Sequence, residues 1–210
     1  MGSSYKANRR NFIPATPGLL STGGECSNAD GVNDMQIRDA VLADFEEITE
    51  IYNQIVLTTT AIYSDQISTI EERVAWWRGR TAKGFPVQVA TDAGSVIGFA
   101  SFGEFRAWPG YRFTVEGTVH IRSTARGLGV GSALLHQLVK LAREMGMHTM
   151  IAGVDAENEA SLRLLGRFGF ERVGHFREVG YKFGRFLDLI FLQCLLTPLS
   201  EASSRTGDRK

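Results

Sequence analysis

Two cysteines in 210 residues, Cys26 and Cys194, are too few for a disulfide framework or a cysteine-based metal site. Within LDLIFLQCLL, Cys194 reads as a small apolar core residue. Long apolar runs are missing too. The longest, Leu187–Leu196, is interrupted by Asp188 and Gln193 and falls well short of the about 20 residues that span a bilayer. Nor is there an excess of charge of either sign: 23 Lys and Arg balance 23 Asp and Glu. A chain with no net charge has no long-range field to hold a polyanion, which argues against nucleic acid as a partner. Arg9-Arg10 ahead of FIPATPGLL has the outline of an export signal. Its apolar segment is short and broken by Pro14 and Pro17, where about 7–15 apolar residues are needed. These absences lead to the expectation of a cytoplasmic protein with no metal, no membrane span and no nucleic-acid partner.

What is present suits one buried domain: 43% of the residues are hydrophobic. Residues 1–34 hold Gly, Ser, Asn and Pro without an apolar period and are expected to form a disordered leader. The domain is expected to span 35–196, with a disordered tail over 197–210. Met35–Arg38 reads as a short strand. Asp44 stands at an N-cap position before Phe45, Ile48, Ile51, Tyr52 and Ile55 at helical spacing. Thr69 followed by Glu72 predicts a capping box opening a second helix. Val87–Thr91 and Val96–Phe102 flank Asp92-Ala93-Gly94-Ser95, a hairpin signal. Strands are further expected over Phe113–Ile121, Thr149–Val154, Phe170–Val173 and Phe186–Leu195, and helices over Leu128–Met145 and Glu159–Phe168. Three successive strands imply an antiparallel half, and the later strand–helix–strand units a parallel half.

The sharpest local signal is Arg126-Gly127-Leu128-Gly129-Val130-Gly131-Ser132, between a strand and a long helix. Glycines every second residue permit turn conformations and close approach of a ligand. Consecutive amides at a helix N-terminus suit a pyrophosphate. A P-loop needs a Lys before Ser132, and none is there. A dinucleotide fingerprint counted from Gly127 or Gly129 puts its third glycine at Ser132 or Leu134. The pattern Arg/Gln-x-x-Gly-x-Gly/Ala fits at Arg126, Gly129 and Gly131, and is similar to the signature with which GNAT acetyltransferases bind the CoA pyrophosphate. Asn158-Glu159-Ala160-Ser161 followed by Phe168-Gly169-Phe170 resembles a later element of that fold. There Asn158 faces the pantetheine arm. It reads equally as an N-cap for the helix beginning at Glu159.

Four stretches, FGEFRAWPGYRFTVEGTVHI (Phe102–Ile121), IYNQIV (Ile51–Val56), IAGVDAENEASLRL (Ile151–Leu164) and VGYKFGRFLDLIFLQ (Val179–Gln193), resemble the phosphinothricin/methionine sulfoximine N-acetyltransferases. The resemblance covers roughly residues 35–196. It implies an α/β chain of the GNAT fold, with a single mixed, mostly antiparallel sheet flanked by helices. It also implies acetyl transfer from acetyl-CoA to the α-amino group of a small amino-acid-like substrate, and a homodimer.

An ammonium must lose a proton before it attacks a thioester. Glu116 matches the proposed base of the family, and strand alternation sets it among Thr114, Thr118 and His120, opposite Val115, Gly117 and Val119. A solvated strand carboxylate is the plainer reading. The resemblance assigns the thioester carbonyl and pantetheine to backbone at Val119, His120 and Ile121, and the pyrophosphate to Arg126 through Ser132. Arg106 is a bidentate partner for a carboxylate, or a surface ion pair. Pro109, Gly110 and Tyr111 match a substrate-contacting loop. Tyr63 matches an aromatic position near substrate, or packs in the core. The family commonly has His seven residues after the Asn to protonate the thiolate, and here that position is Leu165. His120 and His175 are candidate substitutes. The same fold acting on another small amine, a polyamine or a peptide N-terminus is one alternative. A catalytically weak acyl-CoA-binding module is the other.

Overall fold

The computed structural model describes residues 34–196, so the expected leader and tail lie outside the described residues except for Asp34. Strand β1 (Gln36–Asp39) leads through a 3-10 turn (Leu42–Asp44) into α1 (Phe45–Thr58), and α2 (Ile70–Ala82) follows. The strands β2 (Val87–Asp92), β3 (Ser95–Glu104) and β4 (Thr114–Ile121) come next. Then come α3 (Val130–Glu144), β5 (Thr149–Asp155), α4 (Glu159–Arg167), β6 (Glu171–Lys182) and β7 (Arg185–Leu195). The seven strands form one sheet in the order β1-β2-β3-β4-β5-β7-β6. No helix among the described residues is long and apolar enough to cross a membrane.

Local chemistry explains several boundaries. The Thr69 hydroxyl accepts from the Glu72 amide at 3.2 Å, while the Glu72 carboxylate accepts from the Thr69 amide at 2.9 Å. This capping box satisfies two orphan donors at the start of α2. The β2–β3 hairpin turns on Ala93 (φ 47°) and Gly94 (φ 86°), the left-handed pair that a tight two-residue turn demands. Asp44 differs from expectation. It precedes α1, yet its own backbone is helical and its side chain caps none of the α1 amides. Instead its carboxylate takes both Arg38 nitrogens at 2.7 Å and the Val41 amide at 2.7 Å, so it closes the 3-10 turn ahead of the helix.

Alternation along the strands separates two cores. Ala100, Phe102, Val115, Met150 and Ala152 face α3 and α4, whereas Val89, Val96 and Phe99 face α1 and α2. The expected parallel half shrinks to one pair, because β7 inserts antiparallel between β5 and β6. That one pair, β4 with β5, is parallel over Thr114↔Thr149, Val115↔Met150 and Glu116↔Ile151. Beyond Glu116 the two strands continue without pairing to each other. The sheet therefore opens there into a wedge.

Candidate active site

One flank of the wedge is Gly117–Ile121 of β4 and the other Met150 and Ala152–Asp155 of β5, with Asn158, Ser161, Leu164 and Leu165 lining it as well. Past Glu116 the β4 edge has no strand beside it, and such backbone groups need another partner. The wedge runs on into a cleft of about 750 Å³ lined by Thr58–Ala61, Val119–Ile121, Arg126, Gly127, Gly129, Gly131, Ser132, Asn158 and Arg167. A cavity of that size accommodates a nucleotide-bearing ligand.

At the glycine loop, Gly127 and Gly129 adopt φ of 81° and 82°, and a Cβ on either would meet only open space. Helix α3 starts at Val130, two residues later than expected, with Gly129 as its cap and no side-chain capping bond. Its first-turn amides, at Val130, Gly131 and Ser132, are thus left for an external acceptor. An anionic pyrophosphate fits this site. The Val130 side chain is buried in the core, so only its backbone can contribute. Leu128 is exposed and does not line the cleft. Asn158 caps α4 through Oδ1, which accepts from the Ser161 amide at 3.1 Å, and also lines both wedge and cleft.

Glu116 lies on the opposite face of the sheet from α3, as alternation required. Burial raises its carboxyl above the ordinary range, opposed by the charges of Arg80 and then Arg106. Arg106 is exposed and lays its guanidinium over the Phe105 ring at 5.0 Å. Phe105 also meets Tyr111 at 5.7 Å and Phe191 at 6.4 Å. Pro109, Gly110 and Tyr111 form an exposed 3-10 turn beside this aromatic group. Arg80, Phe105 and Phe191 were not expected at the site. Each is unremarkable in its own segment, and only the pairing of distant strands assembles them.

Other expected residues turn out to be structural. The Tyr63 hydroxyl donates to the Asp188 carbonyl at 2.9 Å, and its ring covers Gly180. Burial and the nearby Asp155 and Asp188 charges push that phenol up to about 12. His120 lines the wedge and the cleft, and its ring packs against Phe99 at 4.9 Å and Tyr52 at 6.4 Å. Burial, helped by the Arg73 charge, lowers its pKa to about 4. His175 is paired with Asp188 at 2.7 Å across β6 and β7. Leu165 is buried and contributes an apolar side chain to the wedge wall.

The model of the Acetyltransferase (GNAT) family matches residues 45–170, which takes in the wedge, the glycine loop and Asn158. The chain belongs to this family. It is 44% identical over 167 residues to the L-amino acid N-acyltransferase MnaT of Escherichia coli, covering 80% of this chain and 97% of that protein. It is 45% identical to the L-methionine sulfoximine/L-methionine sulfone acetyltransferase of Pseudomonas paraeruginosa, covering 79% of this chain and 97% of that one. Among solved structures, a GNAT superfamily phosphinothricin acetyltransferase from Sinorhizobium meliloti, in complex with AcCoA, superimposes with a TM-score of 0.75. Its identity is 38%, with 77% of this chain and 88% of that chain covered. The matched region takes in β4, β5 and the loop from Arg126 to Ser132.

Proposed function

We propose that this GNAT enzyme transfers acetyl from acetyl-CoA to the α-amino group of an amino acid or analogue of the methionine sulfoximine, methionine sulfone or phosphinothricin type, with Glu116 as general base. The observation that carries the reading is Glu116 itself, a half-buried carboxylate acted on by the charges of Arg80 and Arg106 where the wedge begins. Acetyl-CoA supplies the activated acetyl thioester. The first-turn amides of α3 and the Arg126 side chain hold its pyrophosphate, and Asn158 holds the pantetheine arm. Backbone at Val119–Ile121 meets the thioester carbonyl, where donors aimed at developing negative charge are the expected catalytic term. Glu116 takes the proton that keeps the amine from attacking, and burial makes it a better base than an exposed Glu. Arg106 draws the acceptor's anionic groups toward the turn of Pro109, Gly110 and Tyr111. Val173, Phe176, Val179, Tyr181, Phe183 and Phe186 are exposed along β6, β7 and the turn between them, which supports a homodimer.

A second reading, an acyl-CoA-binding module with weak turnover, is favoured by Leu165, whose side chain cannot donate a proton from its place on the wedge wall. Free-thiol release from acetyl-CoA separates the two. Methionine sulfoximine, methionine sulfone and phosphinothricin are expected to give turnover well above that of a polyamine or a peptide. Acetyl-CoA binding with no thiol release across the panel would select the binding module.

Gly129→Val tests the loop. Acetyl-CoA is expected to raise the Tm of the wild type, since a ligand that binds only the native state stabilises it in proportion to RT ln(1 + [L]/Kd). A branched side chain at φ 82° both strains the backbone and fills the space a phosphate needs. The variant should lose the ligand-induced shift relative to its own baseline. An undiminished shift would show that the pyrophosphate lies elsewhere.

A further inference from the structure

Arg80 sits near the end of α2, and its guanidinium lies against β3 at Gly103. A Cβ on Gly103 would overlap it. Gly103 is the register partner of Glu116, so this cation lies beside the strand pair at the height of the base. Trp76, one turn earlier on α2, lies 5.8 Å from the guanidinium carbon. Glu104, the carboxylate next along β3, is taken by Lys83 at 2.5 Å. Among the described residues no hydrogen bond or ion pair engages the Arg80 side chain, although it is half-buried and burial penalises its charge. A guanidinium carries five N–H donors in a planar fork that matches a carboxylate. Holding it partly out of water without a partner is costly unless an anion completes it.

We propose that Arg80 determines acceptor specificity by gripping the α-carboxylate of the incoming amino acid opposite Glu116. The inference rests on the acetyltransferase reading above. In an α-amino acid one carbon separates carboxylate from ammonium. A carboxylate seated on Arg80 therefore sets the nitrogen beside Glu116, the carboxylate whose charge acts most on this guanidinium. The rest of the acceptor then extends toward Phe105, Tyr111 and Phe191, with Arg106 at the outer edge. Two consequences follow from this seating. Amines lacking the adjacent carboxylate bind without register to the base. Occupation of Arg80 also withdraws a cation from Glu116, so that the base strengthens once the right acceptor is in place.

The test compares L-methionine sulfone with its carboxamide, which has the same side chain and amine but no anion. Wild type is expected to favour the acid at least about 100-fold in kcat/KM, because a site built for hydrogen bonding rejects the analogue lacking the group. In Arg80→Gln the acid-to-amide ratio should fall to within about threefold of unity, through a rise in KM for the acid, with the acetyl-CoA shift in Tm unchanged. Arg80→Lys should recover part of the preference. Gly103→Ala displaces the guanidinium while leaving Arg80 in the sequence, and should reproduce the loss should Arg80→Gln fail to fold. A ratio preserved in Arg80→Gln or Gly103→Ala would overturn the proposal, as would equal losses for acid and amide. So would a ratio that collapses in Arg106→Gln and survives in Arg80→Gln. A wild type inert to both compounds, yet stabilised by acetyl-CoA, would overturn the acetyltransferase reading itself and this inference with it.

Discussion

Glu116→Gln is expected to lower kcat/KM for methionine sulfoximine by about 10²–10⁴-fold, the usual contribution of a general base. Glutamine keeps the size of the side chain and one carbonyl oxygen but cannot accept the amine's proton. Acetyl-CoA binding should be retained, because Glu116 faces α1 and α2 whereas the glycine loop proposed to hold the pyrophosphate opens α3 on the other face. The pH profile gives an independent handle. Burial raises the Glu116 carboxyl above its ordinary value, so on acidification the active carboxylate is lost at a higher pH than an exposed Glu would show. That acid limb should vanish in the variant. What remains should rise with pH as free amine accumulates, so alkaline conditions restore part of the rate. Near-wild-type turnover in Glu116→Gln at pH 7 would remove Glu116 from the mechanism.

The strand that carries Glu116 was readable in advance because β4 alternates strictly, with Val115 buried and Glu116 half-covered on the other face. The capping box and the β2–β3 turn were equally readable, since each depends on residues within four positions of one another. The glycine loop was legible for a similar reason: its chemistry is local backbone conformation. Strand β6 was not. The sequence supports a strand only through Val173, whereas the structure extends it to Lys182. It is an edge strand, largely exposed, interrupted by Gly174 and Gly180 and bulged near Glu178 at φ 54°, so no period of two survives. The insertion of β7 between β5 and β6 was hidden for another reason, because strand order is settled by packing and not by local pattern. Arg80 reads in sequence as one charge among several on α2. Its meaning comes from Gly103, which leaves room for it beside Glu116 from a strand more than twenty residues later.

Lys182 shows the same dependence on distant contacts and leads to the largest expected loss of stability. Its ammonium is fully buried and donates to the carbonyls of Val56 at 2.6 Å, Thr59 at 2.7 Å and Ile62 at 2.8 Å. These belong to the last turn of α1 and the segment after it, where carbonyls have no intrahelical donor. Three charge-assisted bonds thereby tie that segment to the β6–β7 hairpin, next to the point where Tyr63 packs on Gly180. Lys182→Met keeps an unbranched stem of similar bulk and removes all three donors. An unsatisfied buried acceptor costs about 1–3 kcal/mol, so a loss of at least about 3 kcal/mol is expected even with some rehydration of the carbonyls. That is a large part of the about 5–15 kcal/mol that holds an ordinary domain together. At about 2–4 °C per kcal/mol for a chain of this size, Tm should drop by on the order of 10 °C. Thr58–Ala61 also line the cleft proposed to hold acetyl-CoA, so the surviving folded variant should bind acetyl-CoA more weakly than wild type. Urea denaturation and acetyl-CoA titration would measure the two effects separately. A stability change below about 1 kcal/mol would mean that water replaces the ammonium without penalty, and an unchanged affinity would mean that the cleft does not depend on this clamp.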